Sequence, residues 1–225
     1  MNHIYRQPEF GPAYFRYPEF YSDMVKRFPS GSHFVEIGCF LGKSTAYISV
    51  EIANSGKDIK FDAIDHWDAN LLPKKGDDSE FEDTTGAGFI ISEETRKMFE
   101  RVSSSIPHYQ DIPAIQNNEF YETFLENMKD LINLGLCNPI KMMSTDAANL
   151  YEDGSLDFVL IDGAHDYTSV CEDIKAWLPK VKKGGILAGD DWPYPGIQAA
   201  VRKQLESKCT LEIIWSQNIW KAEVL

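Results

Sequence analysis

The chain has 225 residues, of which 43% are hydrophobic and 25% are charged, as expected for a globular protein with one sizeable core. Its net charge of −13 at pH 7 excludes proteins that bind nucleic-acid phosphates or anionic membranes through a basic surface. The four cysteines include no C-x-x-C pair, which argues against zinc and favours a reducing compartment, expected to be the cytoplasm. Small neutral or cationic molecules, or a protein, remain as partners, and self-association into a homo-oligomer is left open.

An arm and a helix precede the first predicted strand and occupy residues 1–31. Proline and aromatic residues dominate positions 1–17 and predict an ordered arm that packs on the domain or covers a site. A helix is predicted at 18–28, because Tyr21, Val25 and Phe28 recur at helical spacing. The start of the chain does not resemble a signal peptide, and no apolar run is long enough to cross a bilayer.

A strand, a glycine turn and a helix follow the arm. Residues 34–37 predict the strand, Gly38 and Gly42 the turn, and residues 43 to about 54 the helix. Glycine lets a ligand approach the backbone, and a helix N-terminus carries unpaired N–H groups and a partial positive charge. Such a unit commonly holds a nucleotide-like ligand at the end of its strand. A strand–turn–helix without a ligand is the alternative.

Asp65 comes directly after the second predicted strand, residues 59–64. A carboxylate in this place can accept hydrogen bonds from both hydroxyls of a ribose. Capping of a helix is the alternative role for Asp65.

Residues 68–118 interrupt the alternation of strands and helices. The segment is rich in acidic residues, glycine and proline, and it contains one predicted helix, from residue 92 to about 102. Long connections between strands often cover binding sites, so we predict a substrate lid, with a surface insertion as the alternative.

The alternation returns after this segment. The apolar pattern predicts strands at 139–144, 156–161 and 185–189, helices at 119–134, 167–178 and 197–205, and a closing hairpin at 211–215 and 219–224. With the two earlier strands, this predicts a Rossmann-like, doubly wound α/β fold. Its sheet is mostly parallel and seven-stranded, with a C-terminal antiparallel hairpin, in a single domain spanning residues 1–225.

Aspartates follow two central strands, at the rim where open α/β sheets bind ligands. Asp162 ends one strand, and Asp190 and Asp191 end the next. Three carboxylates at neighbouring strand ends repel one another, and a hard divalent cation such as Mg²⁺ or Ca²⁺ would neutralise them. The sequence therefore predicts a metal site, with helix capping and solvation as the alternative.

Several stretches together resemble class I S-adenosylmethionine-dependent methyltransferases, of the family that includes metal-dependent sugar O-methyltransferases. They are EIGCFLGKST, the strand-terminal Asp65, IDGAHDY and KKGGILAGDDW, and the FYETF helix also fits. The resemblance covers residues 32–67 and 119–225. It implies methyl transfer from S-adenosylmethionine to a small hydroxylated acceptor, assisted by Mg²⁺ or another divalent cation.

The resemblance implies a role for each matching residue. The expected cofactor contacts run from the methionine and ribose part to the adenine: Glu36, Gly38, Gly42, Asp65, His66, Trp67, Ser144, Thr145, Asp146 and Asp162. The expected metal ligands are Asp162, Asp190 and Asp191. Relatives carry a further acid where this chain has Ala164, so His165 or the metal-bound carboxylate of Asp162 would remove the acceptor proton.

Three other functions are alternatives to this one. A non-haem iron oxygenase needs two histidines and a carboxylate, which His66, His165 and an aspartate could supply. A binding protein that keeps the cofactor pocket without turnover fits the missing acid at Ala164. A nucleic-acid methyltransferase would need a basic surface and a base-flipping motif of the N-P-P-Y type, which the chain lacks.

Overall fold

The computed structural model describes residues 1–12, 15–72, 97, 108–205 and 208–225. The strands are β1 (His33–Ile37), β2 (Lys60–Asp65), β3 (Asn138–Lys141), β4 (Leu156–Ile161), β5 (Val181–Gly189), β6 (Cys209–Ile214) and β7 (Ile219–Val224). The α-helices are α1 (Pro18–Arg27), α2 (Lys43–Ser55), α3 (Pro113–Gln116), α4 (Phe120–Asn133), α5 (Ser144–Ala147), α6 (Tyr167–Trp177) and α7 (Pro195–Leu205).

The described strands form a seven-stranded sheet in the order β3-β2-β1-β4-β5-β7-β6. Strands β1 to β5 pair in parallel, and β7 is antiparallel to both β5 and β6. The predicted Rossmann-like sheet with a C-terminal antiparallel hairpin is therefore confirmed. The strand order reverses at β1 and β4, which is where doubly wound sheets bind their ligands.

Alternating side chains on the strands divide the core into two layers. On β1, Phe34 packs in the layer that contains side chains of α1, α2 and α4. Val35 and Ile37 point to the opposite layer, which contains side chains of α6 and α7. Since side chains alternate along a strand, Glu36 lies on the same face as Phe34, toward α1 and α2.

Two strand boundaries differ from the predicted ones by three residues or more. Strand β3 ends at Lys141 rather than at residue 144, because the chain turns into α5 at Ser144. Strand β5 begins at Val181 rather than at residue 185, since the glycine pair lies inside it. Gly184 has a φ of 75°, and the pairing of β5 with β4 shifts register there.

The N-terminal arm lies across the glycine turn. Lys43 donates a hydrogen bond from Nζ to the carbonyl oxygen of Gly11 at 2.8 Å. Asn127 donates from Nδ2 to the carbonyl oxygens of Glu9 and Leu41, at 3.0 and 2.9 Å. The arm is thus attached to the same turn that the sequence marks as a ligand site.

Only the ends of the predicted lid are described. They hold short helical turns at Ala69–Leu71 and Tyr109–Asp111, together with α3. Apart from the helical Lys97, the helix predicted from residue 92 to about 102 lies outside the described residues. In the described part of the chain, no helix combines the length and the apolar character that a membrane span requires.

The carboxyl ends of β1 and β4 meet at Gly38. Asp162 donates from its backbone N–H to the carbonyl oxygen of Ile37 at 2.8 Å. A Cβ atom on Gly38 would lie 1.9 Å from the carbonyl oxygen of Asp162. Only glycine fits here, and the fit places the start of the turn directly against the first of the rim aspartates.

Replacing Gly38 with alanine should therefore destabilise the protein by about 3 kcal/mol or more, through the backbone clash and its φ of 85°. Gly56 is the matched control, because its φ is 67° and a Cβ there meets nothing within 4 Å. Gly56→Ala should cost only about 1–2 kcal/mol. Denaturant unfolding of both variants measures the difference, and equal losses would contradict the close approach of β1 and β4.

Candidate active site at the carboxyl ends of the strands

Glu36 lies under the glycine turn with its carboxylate enclosed by the protein. The side chain is 0% exposed and accepts hydrogen bonds from the hydroxyls of Tyr21 and Thr45, at 2.8 and 2.6 Å. Burial raises the pKa of Glu36, and these hydroxyl donors act in the opposite direction. The structure turns this carboxylate toward α1 and α2, so the predicted contact of Glu36 with a cofactor stays a prediction.

Asp65 is tied to the glycine turn by backbone donors. Its Oδ2 accepts from the N–H of Phe40 and its Oδ1 from the N–H of Trp67, both at 2.9 Å. Phe40 and Trp67 have φ values of 49° and 41°, which is uncommon for large side chains and frequent at ligand sites. The N–H of Cys39 is a third backbone donor to this carboxylate, which can accept about four hydrogen bonds, so Asp65 can still accept one from a ribose.

The two residues after Asp65 lie in different surroundings. His66 is partly exposed, and its Nδ1 accepts from the N–H of Asp68 at 2.8 Å. Trp67 is 3% exposed and packs between the rings of Tyr121 and Phe124. Its ring belongs to the core, so a contact between Trp67 and adenosine would have to involve its backbone.

The residues predicted beside adenine begin α5, next to the end of β3. Ser144 uses its hydroxyl inside the protein, donating to Asp173 and accepting from Trp177 Nε1 at 2.9 Å. Burial raises the pKa of Asp173 to about 6. Thr145 and Asp146 are exposed at the rim. The structure therefore leaves the side chains of these two available to a ligand, whereas that of Ser144 holds α6 in place.

An acidic cluster forms at the ends of β4 and β5, and we use this name for Asp162, His165 and Asp191. Each offers one ligand atom, and the three atoms lie within 4.8 Å of one another. His165 Nε2 is 2.9 Å from Asp191 Oδ2. Asp191 has a φ of 58°, an uncommon value for a residue other than glycine. The cluster borders a cleft whose other walls include Ile161, Gly163, Ala164, Val170, Asp190, Ile197 and Trp220.

Two carboxyl groups of this rim, those of Asp162 and Asp190, have raised pKa values. Burial, followed by the charge of Asp191, raises the pKa of Asp162 to about 7. Burial also raises the pKa of Asp190 well above its ordinary value, with further contributions from Asp191 and Asp162. Raised carboxyl pKa values of this kind are typical of functional sites, where like charges lie close together without enough opposite charge beside them.

The sequence predicts Asp190 as a metal ligand beside Asp162 and Asp191, but Asp190 does not belong to the acidic cluster. The group whose ligand atoms converge contains His165 in its place. The Oδ1 atom of Asp190 is buried and has no hydrogen-bond partner among the described residues. A shift of this side chain would be needed to bring it into the cluster, so its role as a metal ligand stays a prediction.

Two tyrosines of the N-terminal region were missed as site residues. Tyr17 donates its hydroxyl to Asp162 Oδ2 at 2.6 Å, and Tyr21 donates to Glu36. Both side chains are fully buried. Their i, i+4 spacing at the start of a helix was the available signal, but it indicated only a buried face.

The raised pKa of Asp162 predicts how stability depends on pH without divalent cations. A carboxyl with a folded-state pKa of about 7 holds its proton more tightly than in the unfolded chain, so the unfolding free energy falls as pH rises from about 4 to 7. Asp162→Asn should make this fall shallower and add about 1–3 kcal/mol above pH 7.

Denaturant unfolding in a chelator across this pH range tests the prediction. The exposed Asp153, paired with Lys180, provides the control, since Asp153→Asn should change stability by less than about 1 kcal/mol. Destabilisation by Asp162→Asn at pH 8 would contradict the inferred charge repulsion.

Comparisons with known proteins agree with this geometry. A family model described as a methyltransferase domain matches residues 35–192, more than half of the chain. None of the curated proteins matches it. The O-methyltransferase NovP superposes with a TM-score of 0.58 at 17% identity, over 93% of this chain and 79% of NovP.

Two further solved structures have the same fold. The calicheamicin methyltransferase CalS11 has a TM-score of 0.55 at 14% identity, over 92% of this chain and 76% of its own. Cofactor-bound Rv0187 from MTB has a TM-score of 0.54 at 12% identity, over 94% and 81%. At these identities the likeness shows the fold alone, whereas the family match runs from β1 to the residues after β5. The chain therefore belongs to the methyltransferase domain family, and its fold is that of class I methyltransferases such as NovP.

Proposed function

We propose that this protein transfers the methyl group of S-adenosylmethionine to a hydroxyl oxygen of a small, sugar-like acceptor, with a divalent cation in the acidic cluster. The observation that carries the proposal is the placement of two different ligand sites on either side of β1. Asp65 ends β2 on one side, and Asp162 follows β4 on the other. A nucleoside held by Asp65 across the end of β1 would extend its reactive end toward the acidic cluster.

The rim offers suitable contacts for each part of this cofactor. Asp65 would accept a hydrogen bond from a ribose hydroxyl, and the exposed Thr145 and Asp146 would border the adenine. The turn from Gly38 to Gly42 would lie against the methionine part, since its glycines let a ligand reach the backbone.

The donor atoms of the acidic cluster fit a divalent cation. Two carboxylates and one imidazole converge there, and the carboxylates repel one another when nothing positive lies between them. The orphaned oxygen of Asp190 also lies in the wall of the same cleft. The carboxylate oxygens suit Mg²⁺ and Mn²⁺, and Mn²⁺, as a transition metal, can also take one imidazole nitrogen such as that of His165. A bound cation would lower the pKa of an acceptor hydroxyl.

His165 is our candidate for the group that takes the acceptor proton. A neutral imidazole can accept a proton near pH 7, and Asp191, at 2.9 Å, would stabilise the resulting imidazolium. The methyl donor supplies an electrophilic carbon, which bonds to the acceptor oxygen as the sulfur–carbon bond breaks. The remaining task of the rim residues is to orient the two reactants and exclude water.

The iron-oxygenase alternative finds no second histidine in the cluster. Among the described residues, His165 is the one histidine in the group of converging ligand atoms, and His66 lies beside Asp65 instead.

The four cysteines are free thiols, which supports our proposal that the enzyme works in a reducing compartment such as the cytoplasm.

Titration with S-adenosylhomocysteine, with and without Mg²⁺ or Mn²⁺, tests the proposal. We expect the nucleoside to bind without a cation. Asp65→Asn should weaken that binding by roughly tenfold or more, because a charged hydrogen-bond acceptor is lost. Asp191→Asn should abolish cation binding and spare the nucleoside. Calorimetry on the two variants measures both affinities.

Two outcomes of this titration would count against the proposal. A wild-type protein that does not bind S-adenosylhomocysteine would remove the cofactor. Loss of both ligands in either variant, with an unchanged melting temperature, would show that the two sites are not separate.

His165→Ala should slow turnover by roughly 10²–10⁴-fold if the imidazole acts as the base. Release of S-adenosylhomocysteine, measured with an acceptor found by screening hydroxylated sugars, reports the rate. Cation affinity measured on the same variant separates the two roles open to this side chain. A reduced rate with preserved cation affinity supports His165 as the base. Loss of both the rate and the cation affinity assigns it as a metal ligand. An unchanged rate with unchanged cation affinity removes both roles.

A further inference from the structure

Tyr17 reaches the acidic cluster from the other end of the chain. Its hydroxyl lies 2.6 Å from Asp162 Oδ2, a short hydrogen bond across 145 positions of sequence. The Tyr17 side chain is 0% exposed. The phenol hydroxyl is the donor of this bond, and the carboxylate oxygen accepts it.

The backbone of Asp162 is already fixed by its neighbours. Its N–H donates to the carbonyl oxygen of Ile37 at 2.8 Å, and its carbonyl oxygen lies against Gly38. The freedom that remains is rotation of the carboxylate. Tyr17 donates to one of the two carboxylate oxygens, and this contact also fixes the direction of the other oxygen.

Aromatic packing holds Tyr17 in this position. Its ring lies edge-on to Phe15 and to Tyr21, with centroids 4.8 and 5.2 Å apart. Phe15 in turn contacts Tyr5 of the arm and Tyr47 of α2. The hydroxyl of Tyr17 is thus placed by a packed cluster rather than by one flexible side chain.

We propose that Tyr17 is a positioning residue of the active site, which orients the Asp162 carboxylate for the divalent cation. The inference rests on the proposed function for the identity of that ligand. Hydrogen bonds to a ligating carboxylate fix its direction, and their loss commonly costs 10–100-fold in metal affinity. The N-terminal region then completes the site rather than merely covering the core.

Tyr21 provides a matched control for Tyr17. It is equally buried, lies one helical turn away, and also donates its hydroxyl to an acid, but that acid is Glu36. Phenylalanine at either position keeps the ring and removes only the hydroxyl. The two variants therefore differ in which carboxylate loses its donor.

Calorimetric titration with Mn²⁺ and with Mg²⁺ tests the proposal on the full chain. Tyr17→Phe should weaken cation binding by about tenfold or more and leave the affinity for S-adenosylhomocysteine within about twofold. Tyr21→Phe should leave cation affinity within about twofold. Cation affinity that is unchanged in Tyr17→Phe, or reduced equally in both variants, would overturn the positioning role.

A second measurement separates failure of this inference from failure of the proposed function. If the wild-type protein binds neither cation, the cation site itself is wrong, and so is the positioning role. Melting temperatures of Tyr17→Phe, Asp162→Asn and the double variant then report on the contact alone. A double shift equal to the sum of the single shifts would show that the hydroxyl and the carboxylate do not interact.

Discussion

Repulsion between carboxylates at the ends of β4 and β5 is the constraint on which the rest of the rim depends. Burial also raises the pKa of Glu36, Asp65 and Asp173, whereas the charge of Asp62 is compensated. Burial opposes ionisation of Asp62, but hydrogen bonds from His33, Asn138 and Tyr151 outweigh it and lower its pKa. Asp162 has a hydrogen bond from Tyr17 and still keeps a pKa of about 7. Raised carboxyl pKa values beside other carboxylates are typical of functional sites, and they support the proposed cation at this place.

The fold brings the two halves of the site together through one strand. Strand β1 lies between β2 and β4, and its end runs into the glycine turn. Gly38 lets that turn touch the backbone of Asp162, while Phe40 donates to Asp65 on the other side. The turn therefore sets the distance between Asp65, where we propose the nucleoside binds, and the acidic cluster. Backbone contacts fix this distance, and side-chain substitutions leave those contacts largely intact.

The parts of the site that follow from local pattern could be predicted from the sequence. Strand ends place Asp65 and Asp162 at one rim, and glycines mark the turn, because these features need only nearby residues. The contact of Tyr17 with Asp162 spans 145 positions and leaves no local signal. The convergence of His165 with Asp162 and Asp191 left no local signal in the sequence either. It accompanies a left-handed backbone at Asp191, where the sequence has no glycine to indicate it. The central part of the predicted lid lies outside the described residues.

Charge also limits which acceptors can reach this site. The protein carries a net charge of −13, and three aspartates line the cleft. A phosphate-rich substrate such as a nucleic acid would be repelled before it met the rim, whereas a cation would be attracted. A neutral, hydroxyl-bearing acceptor is not repelled, and a cation held by Asp162 and Asp191 would offer it a positive partner. The same carboxylates that cost stability in the free protein thus favour the small polyhydroxylated acceptors of the proposed reaction.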